Sequence, residues 1–184
     1  MRLVDKGELE TLLKKHYINA HGVINYRGVL NELKSAEVDA AESLVAIVEC
    51  DRSFNEVACE MLRGIAAEGP LSDRQIRTLF LLTEQLGASD RDEYAKTINA
   101  VVHSAPAHLI VELLDKVMEE KTVRDWPLVV IYGIGMLMHS KVEFSVSTDF
   151  RDRFAALVEE HPRMMRRPAD RQEFIQQLST HVVS

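Results

Sequence analysis

Long apolar runs are missing from this sequence. The most apolar stretch, Pro127 to Met138 within DWPLVVIYGIGMLMH, falls short of the ~20 residues that a membrane-spanning helix requires. Cysteine is scarce as well. Cys50 and Cys59 are the only two, too few to staple 184 residues together, and both sit in apolar helical sequence. That usage fits a reducing cytosol and buried structural thiols. The N-terminal MRLVDKGELETLLKKH has neither the uninterrupted apolar core nor the small-residue cleavage site of a secretory signal, so export by that route is not expected. Positive charge is in deficit, with 22 Lys and Arg against 29 Asp and Glu for a net charge of −7. This balance argues against a general binder of nucleic-acid backbones, whose affinity comes from cations displacing counterions.

The usual signatures of chemistry are also absent. No Glu-x-x-His, His-x-x-x-His or His-Asp pattern occurs, so the common helical metal motifs are missing. His16/His21 and His103/His108 are five apart, which turns the paired rings to different sides of a helix. Gly133-Ile134-Gly135 has no preceding strand and no third glycine, so it is not a dinucleotide fingerprint. Two glycines inside a helix cost roughly 1 kcal/mol each relative to alanine. Close approach of a neighbouring helix to the bare backbone would offset that, and both positions are then expected to resist a larger side chain. There is no Gly-x-Ser-x-Gly elbow. No cofactor is implied.

What the sequence does contain is a repeated helical grammar. Val38, Ala41, Leu44, Val45 and Val48 form one apolar face, and Ser53-Phe54-Asn55-Glu56 reads as a capping box opening the next helix, which Gly69-Pro70 closes. Ser72-Asp73-Arg74-Gln75 is a second box, and its helix runs to Gly87. Ser89 restarts the pattern, Pro106 opens another helix, Asp125 with Pro127 opens the apolar one, and Pro168 opens the last. Leu9, Leu12 and Leu13 mark a helix near the N-terminus and Val29, Leu30 and Leu33 another, joined through Asn19 to Asn25. Val142 to Val146 alternates with period two but lacks a partner, so it reads as extended loop. The prediction is an all-α protein forming a single domain over 1–184, with a less regular region at 1–35. Its helices would pack as a multi-helix bundle, or a short irregular stack of hairpins, around a central helix at 126–139 that is buried on all sides.

One segment stands apart electrically. Arg163-Met164-Met165-Arg166-Arg167-Pro168-Ala169-Asp170-Arg171 carries four arginines and one aspartate, a local charge of +3 in an acidic chain. Arginine supplies forked hydrogen bonds and methionine adaptable packing, and both are enriched at protein interfaces. Arg163, Met164, Met165, Arg166, Arg167 and Arg171 are therefore the candidate contacts for a protein partner with an acidic surface. Such a chain would be a non-enzymatic adaptor, inhibitor or regulatory subunit. The competing arrangement has the methionines in the core and the arginines paired with Glu112, Asp115, Glu119 and Glu120. Two alternatives use other chemistry: an enzyme holding a divalent cation on Glu56, Glu60, Asp115 and Glu119, and a nucleic-acid binder using the same arginines.

Overall fold

The computed structural model describes residues 2–18, 23–87, 91–163, 165 and 167–183. The protein is all-α, and its described residues form two compact units, Met1–Leu86 and Gly87–Ser184. No described helix is long and apolar enough to cross a membrane.

The first unit contains α1 (Lys6–Lys15), α2 (Tyr26–Ser35), α3 (Ala40–Cys50), α4 (Asn55–Glu68) and α5 (Asp73–Gly87). Local chemistry explains most of their limits. Ser72 and Gln75 form the expected box: the Ser72 amide donates to Gln75 Oε1 at 2.9 Å and the Gln75 amide donates to Ser72 Oγ at 3.4 Å. Gly69 ends α4 as anticipated. The box at Ser53 does not form. Asp51 takes the Ser53 amide at 2.9 Å instead, so the chain makes a single 3-10 turn, Arg52–Phe54, before α4 begins without a side-chain cap. A box missed in the sequence, Asp5 with Glu8, opens α1. Strand pairing that the sequence did not signal flanks the connection after α1. Two-residue strands β1 (Tyr17–Ile18) and β2 (Val23–Ile24) pair antiparallel across residues that lie outside the description.

Ion pairs tie these helices together. Arg74 on α5 reaches both Glu42 and Glu49 on α3, the latter at 2.8 Å. Lys6 on α1 donates to Asp51 at 2.6 Å, and Lys15 donates to Glu32 on α2 at 2.7 Å, with His16 Nε2 2.9 Å from the same carboxylate. The Lys6 hydrogen bond, followed by those from Ser53, holds Asp51 well below the usual carboxylate range, and Lys15 followed by His16 lowers Glu32. A carboxylate whose folded pKa is depressed stabilises the fold above its unfolded pKa and loses that contribution as pH falls through the folded value. The first unit should therefore weaken on acidification below about pH 4.5, the ordinary value for a glutamate. Urea midpoints taken between about pH 6 and about pH 3 should fall less in Glu32→Gln and Asp51→Asn than in the parent. Added salt should shrink the difference, because these pairs are exposed.

The second unit contains α6 (Arg91–Val101), α7 (Ala107–Glu120), α8 (Trp126–Ser140), α9 (Thr148–Glu160) and α10 (Pro168–Ser179). Pro127 and Pro168 occupy the first turns of α8 and α10, where a missing N–H does no harm. Ser89, the expected start signal for α6, lies outside the described residues. The apolar run forms α8, which packs on α6 and α7. It is not buried on all sides: Val129, Val130, Ile134 and Leu137 are buried, but Leu128, Tyr132, Gly135 and Met136 form a half-exposed stripe. The Tyr132 hydroxyl on that stripe donates to Asn99 Oδ1 at 2.9 Å. Val146 is not loop either. It belongs to β3 (Val146–Ser147), which pairs in parallel with β4 (Val182–Val183). His181 braces this join by stacking on Phe144 with ring centroids 4.1 Å apart, its Nδ1 3.2 Å from the Phe144 carbonyl.

Candidate functional site

The Arg/Met segment spans the turn from α9 to α10. His161 ends α9, Pro162 prevents its continuation, and Pro168 restarts the helix, so residues 161–167 form a short connection with Arg171 one turn into α10. The segment therefore sits at a helix junction. Arg163 and Arg167 are exposed and have no ion-pair partner among the described residues. Met165 is half-buried. Met164 and Arg166, also expected contacts, lie outside the described residues.

Arg171 has a different task. Its side chain is 12% exposed, its Nε lies 3.3 Å from Glu159 Oε2, and its Nη1 donates to the Met165 carbonyl at 2.8 Å. It clamps the connection against the end of α9. A guanidinium engaged on both sides is a positioning group, which leaves the outward charge to Arg163 and Arg167.

Of the acidic residues expected to neutralise the segment, Asp115, Glu119 and Glu120 pair with other cations. Arg153 on α9 reaches Asp115 and Glu119 on α7, at 2.8 and 3.7 Å, and Asp149 one turn back at 2.8 Å. Burial opposes the charge on Arg153, but Asp149 and Asp115 outweigh it and raise the guanidinium above its ordinary value. Glu120 lies 3.8 Å from Lys116. Of the expected partners Glu112, Asp115, Glu119 and Glu120, the middle two instead join a network centred on an arginine that sequence reasoning passed over, and Glu120 pairs with Lys116. Only the i, i+4 spacing of Asp149 and Arg153 hinted at it; Asp115 is 38 positions away in sequence from Arg153 and joins through packing alone.

The same network bears on metal binding. Asp115 and Glu119 already face a cation, and Glu60 accepts from the buried Arg63 at 2.8 Å. No group of three or more His, Cys, Asp or Glu side chains suited to a metal ion occurs among the described residues. His16 is engaged with Glu32, His21 lies outside the description, and His103 and His108 are both exposed. The cysteines differ from each other. Cys59 is buried, its Sγ 3.7 Å from Thr83 Oγ1, whereas Cys50 is exposed at the end of α3, against the expectation of two buried thiols.

One aromatic side chain adjoins the connection. Trp126, at the start of α8, meets the His161 ring edge-on with centroids 6.4 Å apart, so the basic turn continues into a half-exposed indole. No family model matches the chain, and no curated protein or solved structure shows significant similarity to it.

Proposed function

We propose that the chain is a non-enzymatic protein-binding module, an adaptor, inhibitor or regulatory subunit, whose α9–α10 connection docks on an acidic surface of a partner protein. The observation that carries this reading is the exposure of Arg163 and Arg167, without ion-pair partners among the described residues, in an otherwise acidic chain. A guanidinium that is already solvated and unpaired gives up little on meeting a carboxylate, and opposite surface fields speed the encounter. Arg171 supports the docking by fixing the turn, and Met165 supplies adaptable contact beneath the charges. A cytoplasmic location belongs to the same reading, supported by the two free thiols.

Reversing both exposed charges, Arg163→Glu with Arg167→Glu, should lower recovery of a stoichiometric protein partner at least about tenfold in an affinity pull-down at moderate salt. The melting temperature should be unchanged, since neither side chain makes an ion pair among the described residues. Undiminished recovery would remove the connection as the docking site. Nucleic acid, rather than protein, in the eluate, with affinity falling steeply in salt, would favour the nucleic-acid alternative instead.

A further inference from the structure

A cavity of about 550 Å³ lies beside Trp126 in the second unit. Its apolar lining comes from Met118 on α7 and Leu157 on α9, and its charged lining is Glu119, Asp149 and Glu160 together with Lys121 and Arg153. The volume is in the range of small-ligand sites. Two features give it a charge preference. Glu119 and Asp149 are bound to Arg153, but Glu160 has no ion pair among the described residues. The Trp126 ring carries a cation already: the Lys121 ammonium sits 5.2 Å from its centroid. Lys121 reaches it from the left-handed backbone at the end of α7, φ 51°, a conformation that favours glycine. The chain thus places one of its own ammonium groups on the aromatic wall of an acid-lined cavity.

We propose that this cavity binds a primary ammonium on an aliphatic stem, with Lys121 standing in for the ligand when the site is empty. The stem lies along Met118 and Leu157. The head takes the indole face, where the ring quadrupole attracts a cation, and meets the free carboxylate of Glu160. A carboxylate or phosphate ligand would find Arg153 already held by Glu119 and Asp149 and would meet the Glu160 carboxylate, so it is disfavoured. The same ammonium chemistry is carried by a free alkyl diamine and by a lysine side chain.

Trp126 is the only tryptophan in the chain, so intrinsic fluorescence reports on this site alone. Titration with cadaverine and, separately, with Nα-capped lysinamide should give a saturable change, while the neutral analogue pentanediol should give none. Tighter binding of cadaverine identifies a free amine as the ligand, and tighter binding of the lysinamide identifies a lysine of a protein. Lys121→Gly, which removes the resident cation and suits the local backbone, should tighten binding about threefold, and Glu160→Gln should weaken it by a similar factor. No saturable change with either amine, an equal response to pentanediol, or unaltered affinity in Lys121→Gly would each overturn the proposal. Neither substitution touches Arg163 or Arg167, so the docking reading stands or falls separately.

Discussion

Replacing Gly133 with leucine should destabilise the second unit by about 3 kcal/mol. The reason is the distance between α8 and its neighbours. A Cβ placed on Gly133 would lie 2.6 and 2.7 Å from the two terminal carbons of Leu114 on α7 and 3.2 Å from Ile98 Cδ1 on α6. Leu114 and Ile98 are both fully buried, so neither side chain can swing away into solvent. Alanine at this position gains helix propensity of about 1 kcal/mol, but its methyl must still displace Leu114. Leucine adds three further carbons where there is no room. Gly135 behaves differently, in contrast to the expectation that both glycines face a close neighbour. Its Cβ would meet the Phe174 ring, Cζ at 3.6 Å and Cε2 at 3.8 Å, which is ordinary contact. Gly135→Ala should accordingly be neutral or stabilising. Guanidinium unfolding followed by Trp126 fluorescence reads both variants on the helix that carries them. An unchanged midpoint for Gly133→Leu would refute the packing account.

Phe154→Ala should cost about 4 kcal/mol, the larger of the two effects. Phe154 is fully buried on α9, with the Phe150 ring at 6.2 Å and the Phe174 ring of α10 at 5.6 Å. Truncation removes the six ring carbons that Phe174 rests on, leaving a cavity between two helices. Aromatic pairing adds to the loss beyond the buried area. Phe154→Leu, which refills most of the space, should recover all but about 1 kcal/mol. Chemical denaturation of the three proteins tests the order. A small loss in Phe154→Ala would mean that α10 collapses onto α9 and fills the gap. Because α10 carries Arg171, the alanine variant should also loosen the clamp on Met165. It is therefore unsuitable as a probe of docking, whereas Arg163 and Arg167 lie outside this packing.

Much of the helical framework was legible because helix limits are local events. The box at Ser72 and Gln75, the stop at Gly69-Pro70 and the prolines opening α8 and α10 act within a few residues of themselves. Ser53 shows where such reading fails. Its amide was claimed by Asp51, which is just as local but lies on the other side of the helix start, and two competing caps cannot be ranked from spacing alone. The strands were illegible for a different reason. A two-residue strand has no periodicity, and β3 finds its partner β4 only after two intervening helices.

By itself the sequence determined that this is a helical protein, that its most apolar segment is too short for a membrane, and that Arg163 to Arg171 bridges two helices. Each of these depends on patterns a few residues long, which backbone hydrogen bonding and side-chain period convert directly into structure. Tertiary structure alone decided which arginines are available. Arg171 turned inward to Glu159 and Met165, Arg153 drew Asp115 and Glu119 away, and Arg163 and Arg167 were left facing solvent. The ion pairs between α7 and α9 run beside the cavity that Met118, Leu157 and Glu160 line next to Trp126. Charges choose partners across several ångströms of space, and those distances are set by helix packing rather than by position along the chain.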